Sequence, residues 1–325
     1  MAFCHLSHFE RPFLIYNNII SADEIYQGFF LMKDYLKLLR VKHYIKNTLI
    51  FAALLFSGQL LVTDKLVDCS IGFVVFSLVS SSIYIVNDIK DKEKDRLHPL
   101  KNSRPIASGR ISEIKASVIA VCCLVLAGLL FTLIFNVFSL ILLITYILIN
   151  ILYSFGLKNI PLIDVTILVC GFLIRVIFGA VITNIEISNW LYLTVIALSF
   201  FMSFGKRRNE LKKLGSNNTR EVLKGYTIGF LDKSMYMCLT MANTFYSLWA
   251  LSSTDNNKTN LKIITVPLVL LITLKYCLDI EKETSDGDPT EVLFHDKLLI
   301  VMGVIYAVVM ILILYCDRLI SAVSL

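Results

Sequence analysis

Charged side chains are scarce in this 325-residue chain, at 17% of positions against 56% hydrophobic ones. Water-soluble domains carry about a quarter charged residues, so the balance excludes that class, and a mean hydropathy of +0.72 excludes it again. Histidines number only five, and the eight cysteines (Cys4, Cys69, Cys122, Cys123, Cys170, Cys238, Cys277, Cys316) fall mostly inside apolar stretches. No CxxC or Cys/His metal spacing occurs, which leaves buried apolar thiols and no disulfide framework. The N-terminal residues lack the charged start, apolar core and small-residue cleavage site of a signal peptide. No inverted repeat of the transporter kind is detectable. Nothing in the charge pattern points to nucleic acid, and oligomeric state stays open, a homo-oligomer included.

Long apolar runs are what the chain has in abundance. A run of about 18 residues can cross a bilayer as a helix. About nine stretches approach or meet that standard, near 47–62, 67–86, 114–134, 137–155, 162–183, 188–205, 233–253, 261–280 and 298–316. The expected fold class is therefore all-α and integral to the membrane. Residues 33–325 form one transmembrane domain behind an N-terminal extension, 1–32. For that extension two readings stand open: a translation start at Met32, or a short interfacial helix.

The net charge of +6 is unevenly placed. Lys90, Lys92, Lys94, Arg96, Lys101, Arg104 and Arg110 lie between spans two and three, and Lys158 between four and five. Lys206, Arg207, Arg208, Lys212, Lys213, Arg220 and Lys224 lie between six and seven. The intervening loops are short and nearly free of excess positive charge. Basic loops stay on the cytoplasmic side. The expectation is a multi-pass protein of the cell (inner or plasma) membrane, its N-terminus and basic loops cytoplasmic and its C-terminus outside.

The richest stretch is Asn87–Gly109, NDIKDKEKDRLHPLKNSRPIASG. A mixed-charge run between spans is ordinarily a solvated loop. Here Asn87, Asp91 and Asp95 are spaced four apart, so on a helix they share a face, and Asp88 sits close enough to join them. Carboxylates stacked at a helix end repel unless something neutralises them. A divalent cation does so, and Mg²⁺ takes one or two protein carboxylates, completing its shell with water and phosphate oxygens. The basic turn that follows, with His98-Pro99, Lys101, Arg104-Pro105 and Ser108-Gly109, places cations opposite the metal. Asn87, Asp88, Asp91 and Asp95 are the candidate metal ligands, and the three aspartates the candidate catalytic residues.

Other polar residues stand at or inside the spans. Lys46 and Asn47 lead into the first; interfacial anchoring and a reach to a phosphate are both open for them. Tyr153 and Lys158 close the fourth, where an aromatic belt and a snorkelling lysine are the plain alternatives. Asp164 and Arg175 lie within the fifth. Intramembrane charges pair or line a cavity, and at 1.5 Å per residue these two are about three turns apart. Each therefore needs a partner elsewhere, a phosphate in the case of Arg175. Lys206, Arg207 and Glu210 form a second, mainly cationic cluster after span six. Glu281–Asp296 is acidic and turn-rich and suits a solvated lid, with His295 structural.

These residues together resemble the UbiA superfamily of intramembrane prenyltransferases. Asn87-Asp88-x-x-Asp91-x-x-x-Asp95 is similar to its Asn-Asp-x-x-Asp-x-x-x-Asp motif. The continuation His98-Pro99…Lys101…Arg104-Pro105-Ile106-Ala107-Ser108-Gly109 is most similar to the polyprenyl-phosphate phosphoribosyltransferase branch. Lys46-Asn47, Tyr153-Ser154…Leu157-Lys158, Asp164, Gly171-Phe172…Arg175…Gly179-Ala180 and Lys206-Arg207…Glu210-Leu211 occur in that branch's order, over about residues 33–317. Where the branch has Arg-Pro-x-Gln-Trp this chain has Arg40-Val41-Lys42-His43-Tyr44, which takes weight from His43 and Tyr44.

The resemblance implies nine helices around a central cavity that opens sideways to lipid. It also implies Mg²⁺-dependent transfer of 5-phosphoribose from phosphoribosyl pyrophosphate to a polyprenyl (decaprenyl-type) phosphate, feeding cell-wall biogenesis. Lys46, Asn47, Lys101, Arg104, Tyr153, Lys158, Arg175, Lys206, Arg207 and Glu210 are then the substrate-binding candidates. The alternative is a prenyl diphosphate donor with an aromatic or quinone-precursor acceptor. The superfamily's second aspartate-rich motif, which serves that donor, is replaced here by Lys206, Arg207 and Glu210.

Overall fold

Lipid offers no hydrogen bonds to a backbone, so a chain this apolar must satisfy its peptide groups within helices. A computed structural model describes residues 32–97, 101–214, 221–252, 261–281 and 296–323, and among these it contains helices and no strand. The expectations placed on residues 1–31, His98, Pro99, Arg220 and the 282–295 loop with His295 lie outside the described residues. The protein is a multi-pass membrane protein.

The described part of α1 covers residues 32–38. A 3-10 segment, Val41–Phe51, and α2, Ala52–Phe56, follow. Next come α3 (Thr63–Lys90), α4 (Lys92–Leu97), α5 (Glu113–Phe131) and α6 (Val137–Ser154). The chain continues through α7 (Ile163–Ile182), α8 (Asn189–Leu214), α9 (Ile228–Leu251), α10 (Thr265–Glu281) and α11 (Lys297–Val323). Among the described residues six helices are long and apolar enough to cross a bilayer: Thr63–Lys90, Glu113–Ile134, Val137–Ser154, Ile163–Ile182, Leu261–Glu281 and Lys297–Tyr315. The stretches near 188–205 and 233–253 fall in α8 and α9, of 26 and 24 residues, which lie outside that set. Apolar side chains such as Phe138, Leu133 and Leu129 stand exposed on the outer face, where lipid replaces water.

The first expected span, near 47–62, is built differently. Eleven residues in 3-10 form rise about 2.0 Å each. Five α-helical residues follow, rising about 1.5 Å each. Together they reach about 30 Å, the thickness of the hydrocarbon layer, with fewer residues than a full α-helix needs. Such long 3-10 runs are uncommon, and this one is held by close packing on α7. A Cβ at Gly179 would sit 1.8 Å from the backbone oxygen of Ile50. Small residues let membrane helices approach this closely. Gly179→Ala must push the segment away, which costs about 1–3 kcal/mol as overpacking. A lowered midpoint of thermal unfolding in detergent is the expected result, and an unchanged midpoint would show that the contact is slack.

Serines stitch the same segment to its neighbours. On α3, Ser77 accepts from Asn47 Nδ2 at 2.9 Å, and Ser81 meets the Tyr44 hydroxyl at 2.8 Å. Ser80 meets Tyr146 of α6 at 3.2 Å, and Ser82 donates to Ala120 O of α5 at 2.9 Å. Around them Ile50, Leu54, Phe76, Val79, Tyr146 and Phe178 form one apolar core. A second core joins α8, α9 and α10 through Phe201, Phe204, Leu231, Met235 and Ile280. Among the described residues the cysteines are free, as their apolar settings predict.

Candidate active site

The acidic run leaves the membrane at the end of α3. Asp91 caps that helix, and α4 resumes at Lys92. The break is slight, since Asp91 N still bonds Asn87 O at 2.9 Å and Asp95 N bonds Asp91 O at 2.8 Å. Helical register is thus kept across it. Asp88 and Asp95, seven residues or about two turns apart, are both buried and turn to one partner. Arg104 Nη1 lies 2.9 Å from Asp88 Oδ1 and 2.6 Å from Asp95 Oδ2. Arg40 Nη2 pairs with the same Asp88 oxygen at 2.5 Å.

Asn87 and Asp91, four residues apart, turn instead to the end of α6. Asn87 Oδ1 accepts from Ser154 Oγ at 2.9 Å. Lys158 Nζ sits 3.0 and 2.7 Å from the two Asp91 oxygens. Lys90 Nζ donates to Ser154 O at 2.8 Å and lies 3.4 Å over the Phe155 ring, which pins the two helix ends together. Asn87, Asp91 and Asp95, expected on one helical face with Asp88 close by, therefore sort into two pairs with different neighbours, Asp88 with Asp95 and Asn87 with Asp91. Four residues advance a helix by 40° beyond a full turn, and seven fall 20° short of two turns.

The basic turn is held by its apolar residues. Ile106 and Ile111 are buried with Leu38 and Ile85. Arg96 Nε donates to Ala107 O at 3.1 Å, and Ile111 N to Pro105 O at 3.0 Å. Arg104 is thereby aimed back at α3. Arg40 reaches the cluster from the other side with its own backbone in the left-handed region, φ 53°. That conformation is uncommon for a residue with a side chain and costs about 1–3 kcal/mol. The Asp88 ion pair and a stack on Tyr84, 4.7 Å from ring centroid to guanidinium carbon, hold it there.

A second cluster lies on the far side of α6's end. Arg207 and Asp164 are fully buried, and Arg207 Nε donates to Asp164 Oδ2 at 2.6 Å. Arg207 Nη1 bonds Glu210 Oε2 at 2.8 Å, and Nη2 approaches the Tyr153 hydroxyl at 3.5 Å. Tyr226 donates to Asp164 Oδ1 at 2.7 Å and accepts from Leu162 N at 2.6 Å. Burial pushes the Tyr226 phenol up, which keeps it a donor to the carboxylate. Arg208 turns away, pairing with Asp232 of α9 and Glu281 of α10. Tyr153 and Ser154 are neighbours in sequence, so the end of α6 joins the two clusters.

Arg175 forms a third centre, deeper in the bundle. Its Nε donates to Asn47 Oδ1 at 2.7 Å, Nη1 to Gly171 O at 2.5 Å and Nη2 to the Tyr146 hydroxyl at 2.9 Å. Its guanidinium carbon lies 4.9 Å from the Phe76 ring centroid and 5.0 Å from that of Tyr146. Among the described residues no carboxylate pairs with it, so a full positive charge is buried among neutral groups.

Comparison with known proteins identifies the family. The profile of the UbiA prenyltransferase family matches residues 48–295. The chain belongs to the UbiA prenyltransferase family. It is 34% identical over 291 residues to a decaprenyl-phosphate phosphoribosyltransferase of Corynebacterium glutamicum, with 86% of each chain covered. It is 33% identical over 287 residues to the decaprenyl-phosphate phosphoribosyltransferase of Mycolicibacterium smegmatis, covering 83% of this chain and 88% of that one. A UbiA homolog from Archaeoglobus fulgidus, solved with GPP and Mg²⁺, superposes with a TM-score of 0.63 at 18% identity. That alignment covers 86% of this chain and 99% of the other.

Within this UbiA fold the structure sets Asp88 and Asp95 on Arg104, sets Asn87 and Asp91 beside Ser154 and Lys158 at the end of α6, and brings Tyr153, Arg207 and Glu210 into the adjoining cluster. It places Asn47 and Arg175 together, away from the acids. Lys46, Lys101 and Lys206 are half-buried. Among the described residues no group of three His, Cys, Asp or Glu side chains is gathered tightly enough to hold a metal ion. The donor set still fits Mg²⁺. Oxygens of Asp88 and Asp95 already converge on a single nitrogen of Arg104, and one or two carboxylates plus phosphate and water make a sufficient shell.

Sequence reasoning read Arg40 only as part of the entry to the first span, called for a partner to Asp164 without naming one, and gave Tyr226 no role. The signal for Asp164 was present, since a buried intramembrane carboxylate demands a cation. For Arg40 no local signal existed: its partner is 48 residues away, and its left-handed backbone is invisible in composition.

Proposed function

We propose that this protein transfers 5-phosphoribose from phosphoribosyl pyrophosphate to a polyprenyl phosphate, with release of pyrophosphate. The observation that carries the reading is the similarity to curated decaprenyl-phosphate phosphoribosyltransferases over most of both chains. What supports it in the geometry is an acid cluster ringed by Arg40, Arg104 and Lys158, with the ion-paired group Arg207, Asp164 and Glu210 beyond it.

Asp88 and Asp95, with Asn87 and Asp91, would hold Mg²⁺ at the membrane edge. When bound, the metal neutralises charge that develops on a leaving pyrophosphate. Arg104 and Lys158 are placed to hold the pyrophosphate oxygens, and Lys46, Lys101 and Lys206 supply further charge for the sugar phosphate and the lipid phosphate. Arg207, fully engaged with Asp164 and Glu210, acts as a positioning residue that orients Tyr153 and Glu210. The acceptor phosphate is already anionic near neutral pH, so the attack needs no strong general base. The polyprenyl tail enters from the bilayer between apolar helices. The donor enters from the cytoplasmic side, where the positive-inside rule puts the basic loops. The membrane is the cell membrane, and the ribosyl lipid is suited to surface-polymer biogenesis.

The test uses purified protein with labelled phosphoribosyl pyrophosphate, a polyprenyl phosphate and Mg²⁺. Label is expected in the lipid phase, and EDTA is expected to abolish it. Consumption of a prenyl diphosphate with an aromatic acceptor, and no labelled lipid, would overturn the reading in favour of ordinary prenyl transfer.

A further inference from the structure

The acid cluster is charge-balanced by the protein's own side chains. Asp88 and Asp95 share Arg104, Asp88 also holds Arg40, and Asp91 holds Lys158. Each positive charge therefore stands against a carboxylate that a metal would need. The same cations are the ones an anionic donor would need. The two sets differ in freedom. Asp88 and Asp95 side chains are 5% exposed and fixed on helices. Arg40, Arg104 and Lys158 side chains are 18%, 27% and 19% exposed, on long flexible stems.

We propose that Arg40, Arg104 and Lys158 are resident counter-ions which a divalent metal and a diphosphate displace only together, so that neither binds tightly alone. This rests on the reading of the cluster as a metal–diphosphate site. A metal arriving alone adds two positive charges beside three cations that have just lost their partners. A diphosphate arriving alone must face three carboxylates, two of them desolvated, at short range. When both arrive, the carboxylates keep a cation and the three side chains swing onto phosphate oxygens, so every charge exchanges one partner for another. Arg40 becomes a phosphate-binding residue of the site, and the donor is taken up as its metal complex.

Two binding measurements on the full chain in detergent test this. Mn²⁺ affinity in the absence of any phosphate is read from the loss of the free-ion signal in electron paramagnetic resonance. Retention of labelled inorganic pyrophosphate is read with and without Mg²⁺. Wild type should bind Mn²⁺ weakly and retain pyrophosphate only with Mg²⁺. Arg104→Gln should bind Mn²⁺ alone at least about tenfold tighter, the scale of one close charge partly screened by solvent, while its retention of pyrophosphate falls. Lys158→Gln, altering a separate and partly exposed pair, should shift both readings in the same directions.

Mn²⁺ affinity unchanged or weakened in both variants overturns the proposal, as does wild type binding Mn²⁺ alone as tightly as Arg104→Gln. Either result leaves the metal–diphosphate reading standing. Wild type that retains no pyrophosphate under any metal condition removes that reading, and this proposal with it.

Discussion

Asp91→Asn is expected to lower phosphoribosyl transfer by about 10²–10³-fold, the loss seen when one preorganised electrostatic group is removed from a reacting centre. Its stability should fall only modestly. The Asp91–Lys158 pair lies between a surface pair and a buried one, with side chains 17% and 19% exposed, so losing it costs about 1–3 kcal/mol. Asn keeps the size and one acceptor oxygen, so the end of α3 and its cap remain. Initial rates in the labelled-lipid assay, beside thermal unfolding in the same detergent, separate the two effects. A variant with near-normal turnover would remove Asp91 from the catalytic cluster. A variant that melts far below wild type would show that the carboxylate serves the fold instead.

Arg207→Met should act the other way, mainly through stability. Its partner Asp164 has no solvent exposure, and the substitution leaves that carboxylate with only the Tyr226 hydroxyl. Breaking one side of a buried ion pair costs about 3–5 kcal/mol, whereas replacing both partners by apolar groups is often nearly neutral. Arg207→Met is therefore expected to unfold well below wild type, and the double variant Arg207→Met/Asp164→Leu to recover much of the loss. The double variant also reads the positioning role. With Arg207 gone, Tyr153 and Glu210 lose their shared donor, so kcat should stay low in a protein that is again stable. A single variant that melts like wild type would mean the pair is not desolvated. A double variant with normal kcat would confine Arg207 to structure.

The two substitutions mark how differently the two clusters were legible. Asp91 stands in a run whose spacing announces it: acids four apart, next to a span, followed by a basic turn. Arg207 was visible in a second, mainly cationic cluster with Lys206 and Glu210, and as a substrate-binding candidate through the family resemblance, but nothing there marked it as buried against Asp164. Its burial, and its bond to a residue 43 positions earlier, depend on how α7 and α8 pack. Arg175 stands between these cases. Its place three turns from Asp164 showed that the two could not pair along one helix, yet nothing local revealed Asn47 and the rings of Phe76 and Tyr146 as its neighbours. The first span shows the limit for backbone form. Its apolar run marks a crossing, but hydropathy summed over a window does not tell a 3-10 segment from an α-helix, and the close approach of Ile50 to Gly179 is visible only in the fold.

The sequence by itself determined the membrane class, the helical build, the polar clusters at the ends of the apolar runs and the acidic motif. Each of these is a sum over neighbouring residues: hydropathy accumulates within a window, and helical spacing relates positions a few residues apart. Only the tertiary structure decided which cation faces which acid. Arg40 meets Asp88, Lys158 meets Asp91, and Arg104 spans Asp88 and Asp95. An ion pair is set by distance and burial in three dimensions, and helices packed side by side bring together residues that no window of sequence contains.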